Sequence, residues 1–110
     1  MGVLFDIHNE LGSSLLEKHY QKAIETRLTA LKIPFEREKK IALFFDEQKL
    51  GDLFIDFVID KKIILETKCI PKLSINDIKQ TLRYLETTKI KLGILANFRG
   101  NKLEFRRILR

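Results

Sequence analysis

Apolar residues recur with helical spacing in two regions of the chain. From about Asn9 to Lys32 they stand three and four positions apart, as on one face of a long amphipathic helix. Pro34 follows directly and predicts the end of this helix. A second stripe of this kind predicts a helix from Ser74 to about Thr88, and it consists of Ile75, Ile78, Leu82 and Leu85.

Segments rich in β-formers surround the second helix. Residues 35–45 (FEREKKIALFF) and 50–60 (LGDLFIDFVID) flank a polar connection and predict two consecutive antiparallel strands. Residues 62–70 (KIILETKCI) predict a third strand. After the helix, the nearly continuous apolar run 91–98 is typical of a strand buried on both faces. RGN then turns the chain into a last strand at 102–109.

This order of elements predicts an α/β fold. Three meandering strands, a crossover helix and a returning strand form a small mixed sheet flanked by helices, with one extra strand at the C-terminal end. The length of 110 residues and the hydrophobic content of 45% suit a single domain over residues 1–110. No apolar run is long enough to cross a membrane, and the first ten residues lack the pattern of a signal peptide. We therefore expect a soluble, cytoplasmic protein without membrane contact.

Positive charge is concentrated near the C-terminal end. The chain has 21 Lys and Arg against 15 Asp and Glu, a net charge of +6, and residues 1–88 hold 14 of each sign. The last strands can therefore attract an acidic polymer such as nucleic acid, although a solubilising surface is the alternative. One cysteine and two histidines without ligand spacing argue against structural zinc. The predicted nucleic-acid-binding residues are Arg99, Lys102, Arg106 and Arg107.

Charged residues interrupt the two strands predicted at 50–60 and 62–70. The two-residue period of a strand places Ile55 and Phe57 on one face and Asp56 on the other, while Glu66 and Lys68 share a face. An odd number of residues in the connecting turn would set Asp56 opposite Glu66, on the same side of the sheet. Two carboxylates this close destabilise a fold unless a cation lies between them. The alternative is a pair of solvated charges at strand ends.

A divalent metal ion would explain the two carboxylates. Mg²⁺ prefers hard oxygen ligands, usually one or two carboxylates completed by waters and substrate phosphates. Lys68 can orient or deprotonate an attacking water, or neutralise the charge that builds on a phosphate. Thr67 faces away, but its backbone carbonyl is available as a ligand. Glu17 falls on the apolar stripe of the first helix, where an acid needs a partner: either this metal site or a nearby Lys or Arg.

Asp56, followed ten positions later by Glu66-Thr67-Lys68 and preceded by a helix bearing Glu17, resembles the PD-(D/E)XK nuclease superfamily. The resemblance covers nearly the whole chain, with Ile55 in place of the superfamily's loosely kept proline. Residues 11–24 (LGSSLLEKHYQKAI) also resemble the opening of the small GxxExxY proteins within that superfamily. Glu17 and Tyr20 match the last two letters of that motif, whereas Ser14 replaces its glycine.

Gln80 and Tyr84 in the second helix resemble the QxxxY element of the related recombination-type exonucleases. Residues four apart are neighbours on a helix, and this pair lies opposite the predicted apolar stripe. The resemblance implies that both side chains position substrate or water. A solvated helix surface is the alternative, because this pair of residue types is common at this spacing.

The resemblance implies a restriction-endonuclease-like αβββαβ core that hydrolyses phosphodiester bonds of DNA with Mg²⁺ or Mn²⁺. Asp56, Glu66, Glu17 and the Thr67 carbonyl would then hold the metal, and Lys68 would complete the catalytic set. A homodimer would let so small a nuclease cut both strands of a duplex. The alternative function is a nucleic-acid-binding or protein-interaction module that keeps the fold but does not cleave.

Overall fold

A five-stranded mixed sheet forms the centre of the protein, and the computed structural model describes all residues, 1–110. The strands lie side by side in chain order, antiparallel except for β3 and β4, which are parallel. The predicted α/β fold with its extra C-terminal strand is confirmed. None of the helices has the length and hydropathy that spanning a membrane requires. The elements are α1 Gly2–Leu11, α2 Glu17–Ala30, β1 Phe35–Phe45, β2 Gln48–Ile59, β3 Ile63–Lys68, α3 Ile75–Thr88, β4 Leu92–Asn97 and β5 Glu104–Leu109.

The single helix predicted from Asn9 to Lys32 is wrong, because the structure has two helices there. α1 already begins at Gly2, and the chain leaves it at Gly12, whose φ of 77° is a left-handed conformation that glycine adopts without strain. α2 begins only at Glu17. The apolar spacing continues across the break, so it could not reveal the turn.

Helices cover both faces of the sheet. On one face, α1 and α2 pack against a cluster that includes Phe57, Leu65 and Phe98. On the other face, α3 packs against a second cluster that includes Ile64 and Leu95. The sheet is therefore the middle of three layers, and side chains from both helix layers can reach its edges.

Close packing sets the position of α3 over β4. A Cβ atom on Gly93 would lie only 2.8 Å from Cγ2 of the buried Thr81, so glycine at this position lets the helix approach the strand. The buried face of α3 accordingly runs through Thr81, Tyr84 and Leu85, while Ile75 is 68% exposed. The predicted apolar stripe is therefore wrong at Ile75, whereas its other three residues, Ile78, Leu82 and Leu85, pack on the α3-side cluster.

The side chains of β2 stop alternating regularly between the two faces of the sheet at Asp56. Ile55 packs in the α3-side cluster, whereas Phe57 packs in the cluster on the α1–α2 side and Val58 returns to the α3 side. The β1–β2 pairing skips one residue on each strand at this point, Asp56 and Glu38, and Glu38 has a φ of 48°. The predicted sharing of one face by Ile55 and Phe57 was therefore wrong, because a local irregularity interrupts the alternation.

β2 and β3 form a fork. They pair from Ile59–Ile63 only as far as Phe57–Leu65, and the three residues 60–62 between them form a turn of odd length. Beyond Phe57 the strands separate: β3 stays paired with β4, while β2 continues with β1 alone. We call the two-stranded part of β1 and β2 beyond this point, residues 39–55, the hairpin arm.

The contact between α3 and β4 gives a test of the packing. We expect Gly93→Ala to lower the free energy of unfolding by about 1–3 kcal/mol, because the new methyl group overlaps Thr81 Cγ2. Thr81→Ser removes that Cγ2 atom and keeps the hydroxyl. The double variant should therefore be more stable than Gly93→Ala alone, as measured by urea denaturation. If the losses of stability in Gly93→Ala and Thr81→Ser simply added up in the double variant, the two residues would not be in close contact.

Candidate active site

Two carboxylates occupy the fork between β2 and β3. The Asp56 amide donates a hydrogen bond to Glu66 Oε2 at 2.7 Å, and the Thr67 amide donates to Asp56 Oδ2 at 2.9 Å. Each carboxylate thus joins one strand to the other where the backbone pairing ends. The second oxygen of each carboxylate accepts no hydrogen bond from the protein. The fork therefore presents two free carboxylate oxygens.

Negative charge in the fork is only partly balanced. Glu66 is 3% exposed, and burial, followed by the charge of Asp56, raises its pKa to about 8; the hydrogen bond from the Asp56 amide and the charge of Lys68 oppose this rise. Partial burial of the Glu17 carboxyl group, then the charge of Asp56, raises its pKa as well, and the charge of Lys68 opposes this rise. These mutual effects place Glu17, Asp56, Glu66 and Lys68 in one electrostatic cluster.

The donor set fits a hard divalent cation. No three His, Cys, Asp or Glu side chains lie close enough together to enclose a metal ion by themselves. Mg²⁺ needs no such cage, because it usually keeps several waters and is bound through one or two carboxylates. Asp56 and Glu66 supply two carboxylates with free oxygens, in a place where a positive charge would relieve their repulsion.

Glu17 lies at the first position of α2 and is solvent-exposed, so its predicted place on the apolar stripe was wrong. Tyr20 fixes the start of this helix. Its hydroxyl donates to the Gly12 carbonyl at 2.6 Å and accepts from the Leu15 amide at 3.3 Å. Its fully buried ring stacks on Phe98 with the centroids 4.6 Å apart. Tyr20 thereby holds the α1–α2 turn and keeps Glu17 near the fork.

Lys68 lies at the end of β3 and reaches towards α3. Its ammonium is 3.4 Å from Gln80 Oε1 and 3.9 Å from Asp77 Oδ1. The structure therefore brings the predicted residue Gln80 to Lys68, and it adds Asp77, which the sequence analysis did not single out. Asp77 and Gln80 are three apart on one helix, a spacing that could have indicated their common face.

Comparison with known proteins identifies the family. The family model described as the PD-(D/E)XK nuclease superfamily matches residues 1–108. The chain belongs to this superfamily. Among curated proteins, no match was found. The crystal structure of SSO0001 has the same fold, with a TM-score of 0.65 and 17% identity over 86% of this chain. The match spans half of that protein's length.

Membership in the PD-(D/E)XK superfamily confirms the predicted resemblance. Nucleases of this superfamily usually use divalent metal ions, in agreement with the oxygen donors in the fork. The narrower likeness to GxxExxY proteins stays a prediction, as do the roles of the individual residues.

Tyr84 is buried, so its predicted place on a polar helix surface was wrong. It is 6% exposed, and its ring packs in the α3-side cluster. Burial, then the charges of Glu66 and Asp56, raises the pKa of its hydroxyl, which makes no hydrogen bond with the protein. In this PD-(D/E)XK chain, Tyr84 therefore borders the carboxylates from inside the core.

A chain of hydrogen bonds supports Asp56 from the α2 side of the sheet. The Thr67 hydroxyl donates to Asp56 Oδ2 at 3.1 Å and accepts from Gln21 Nε2 at 2.8 Å. Arg37 donates to Gln21 Oε1 at 3.0 Å and to Glu25 Oε2 at 2.7 Å. Thr67 thus orients Asp56 through its amide and hydroxyl, in addition to any role of its carbonyl. Gln21 and Arg37 were not predicted as site residues, because 46 residues separate Gln21 from Thr67 in the sequence.

The four predicted basic residues do not form one surface. Arg99 and Lys102 lie in the exposed β4–β5 turn. Because β3 and β4 run in parallel, this turn and the fork lie at the same end of the sheet, beyond the carboxyl ends of both strands. Cys69 directly follows β3. Burial, then the charge of Glu17, raises the pKa of its thiol, and the charge of Arg99 opposes this rise, so Arg99 lies near the end of β3. Arg106 and Arg107 are consecutive in β5 and point to opposite faces.

The pKa of Glu66 predicts how the stability of the metal-free protein changes with pH. Between pH 4.5 and about 8 the unfolded chain loses the Glu66 proton and the folded protein keeps it, so stability falls as pH rises through this window. Glu66→Gln removes this loss and can still accept the hydrogen bond from Asp56. We expect the difference in the free energy of unfolding between the variant and the wild type to shift in favour of the variant by at least about 1.4 kcal/mol as the pH rises from 5 to 8.5.

Urea denaturation in the presence of a chelator measures this difference. Asp60→Asn, in the exposed β2–β3 turn, is the matched control and should track the wild type at each pH. If the free energy of unfolding changed with pH in the same way for Glu66→Gln and the wild type, the raised pKa of Glu66 would be excluded.

The hydrogen-bond chain predicts that Gln21 affects metal binding without touching the metal. Gln21→Ala removes the donor to the Thr67 hydroxyl and one of the acceptors of Arg37, so Asp56 is held less firmly. We expect the affinity for Mn²⁺ to fall about tenfold by titration calorimetry. Lys22→Ala, on the exposed face of the same helix, should leave the affinity unchanged. Equal affinities for both variants would exclude this role.

Proposed function

We propose that the protein is a metal-dependent deoxyribonuclease that hydrolyses phosphodiester bonds of DNA with Mg²⁺ or Mn²⁺. The observation that carries this proposal is the fork, where Asp56 and Glu66 each keep a free oxygen in the same electrostatic cluster as Lys68. Family membership supports nuclease chemistry, and the donor set supports a hard cation.

The carboxylates would hold the cation. Asp56 and Glu66 are the proposed principal ligands, with Glu17 and the Thr67 carbonyl as further ligands, directly or through water. A bound divalent ion would polarise the scissile phosphate and lower the pKa of the attacking water. The protein's own part is to keep Asp56 oriented through Thr67 and to keep Glu66 in place through the Asp56 amide.

Lys68 would act on the phosphate or on the attacking water. Its ammonium can neutralise the charge that builds on the phosphoryl oxygens in the transition state, or it can orient the water for attack. Gln80 contacts this ammonium and would limit its movement. The Tyr84 hydroxyl has no protein partner and borders the carboxylates, so it would position substrate or water.

DNA would enter along the edge of the sheet that carries the fork. Arg99 and Lys102 extend from the β4–β5 turn at this edge and would contact backbone phosphates. Arg106 and Arg107 would contact DNA from the two faces of β5. We also propose that the protein acts as a homodimer, because one chain offers one such site and cutting both strands of a duplex together takes two.

Cleavage of DNA tests the proposed function. Purified protein with Mg²⁺ or Mn²⁺ should degrade labelled single-stranded or duplex DNA. Asp56→Asn and Glu66→Gln should each lower the cleavage rate at least about a hundredfold and weaken metal binding. Lys68→Ala should lower the rate by a similar factor while the affinity for Mn²⁺ stays largely intact, because an ammonium is not a ligand.

Asp60→Asn is again the matched control, since it changes a carboxylate on the same hairpin outside the fork. Cleavage at the same rate by wild type, Asp56→Asn and Glu66→Gln would point to a contaminating nuclease and exclude these roles. Retention of labelled DNA without cleavage, insensitive to metal, would instead support the binding-module alternative. Loss of the fold in Lys68→Ala would make Lys68 a structural residue.

A further inference from the structure

The hairpin arm carries the largest exposed apolar group on the sheet. Phe44, Phe45, Leu50 and Phe54 are between 57% and 65% exposed. Ile55 at the base of the arm belongs to the α3-side cluster, and Ile41 and Leu53 pack against it. The four exposed side chains have no such cover in the monomer, which marks the arm as an interaction surface.

β1 is also an edge strand. It pairs with β2 on one side only, so a row of its backbone N–H and C=O groups faces outwards. Residues 41–45 (IALFF) of this edge carry no charge and no proline, the usual means of preventing edge pairing. The register shift beside residues 41–45 places the extra residue, Leu50, in β2. The outward-facing edge of β1 therefore stays regular over these residues.

The charges of the arm select the kind of partner. Residues 39–55 contain three lysines and three acids, so the arm has no net charge. Nucleic acid binding depends on a surplus of positive charge, which the arm lacks. Exposed apolar side chains beside an open strand edge fit another protein strand instead.

We propose that the β1 edges of two copies of this chain pair antiparallel about a two-fold axis and join the two sheets. In the register that sets Leu43 opposite itself, Ile41 faces Phe45 of the second copy and Ala42 faces Phe44 of the second copy. This register aligns the apolar ends of the two strands, and each contact occurs twice.

Charge complementarity selects this register. It brings Lys39 and Lys40 to the β1–β2 turn of the second copy, where Asp46 and Glu47 carry the opposite charge. A register centred on Ala42 would instead set Glu38 against Asp46, and one centred on Lys40 would set that lysine against itself. The strand together with the turn that follows it is thus complementary in charge to its own reverse in this register.

The inference specifies the surface of the proposed homodimer, and it rests on that part of the proposed function but not on cleavage. Light scattering over a range of concentrations measures the mass against the 12.9 kDa of one chain. We expect a dimer for the wild type. Lys40→Glu and Asp46→Lys should each raise the dissociation constant about tenfold, because two ion pairs per dimer become repulsions.

The charge-swapped double variant, Lys40→Glu with Asp46→Lys, should recover most of the wild-type affinity, because opposite charges again face each other. Asp46 has a φ of 49°, and the single Asp46→Lys variant shares any strain of the double variant, so their difference reports the pairing alone. Lys79→Glu, on the exposed side of α3, is the matched control and should stay dimeric. Phe45→Ser tests the same surface without changing charge and should also weaken the dimer.

A wild-type chain that is monomeric at every concentration would overturn both this inference and the proposed homodimer. A wild-type dimer that all the arm variants leave unchanged would overturn only the β1 surface. Failure of the double variant to recover would overturn the register. DNA cleavage is measured separately, so the outcome for the nuclease proposal does not depend on these results.

Discussion

The exchange of hydrogen bonds between Asp56 and the β3 residues Glu66 and Thr67 is the interaction on which the site depends. Where the β2–β3 ladder ends, two backbone amides would lose their strand partners, and buried amides need acceptors. The two carboxylates accept from them instead. The same bonds that hold the strands at their point of separation thus fix one oxygen of each carboxylate and leave the other free. The pair of side chains that joins the strands is thus also the pair proposed to bind the metal ion.

This arrangement has an electrostatic cost, which the layers on either side of the sheet help to offset. The raised pKa values of Glu17 and Glu66 show that the fork destabilises negative charge. α2 is held over the fork by Tyr20, and α3 is held by its close contact with β4 at Gly93. Contacts outside the acidic cluster therefore hold both helices in place. The strain of bringing the carboxylates together is offset by packing elsewhere in the fold.

The strands, the crossover helix and the approach of Asp56 to Glu66 were predictable, because they follow from β-propensity, capping and the odd length of one turn. The break at Gly12 was not, since apolar spacing continues through it. The face change at Asp56 was not predictable either, because it lies across from Glu38, whose positive φ is not signalled by a glycine or an asparagine. The support of Thr67 by Gln21 joins residues 46 positions apart, and only the packing of α2 on the sheet brings them together.

The open site and the exposed arm are two results of one structural event. β2 must leave β3 at Asp56 for the carboxylates to occupy the gap, and from that residue outwards its continuation with β1 has no third strand. A two-stranded ribbon is only marginally stable in water and needs cover on its apolar side chains. α3 supplies cover at the base of the arm, through Ile41 and Leu53, but not at Phe44 and Phe45. A second chain along the β1 edge, as proposed above, would give the arm a third strand on the side opposite the fork.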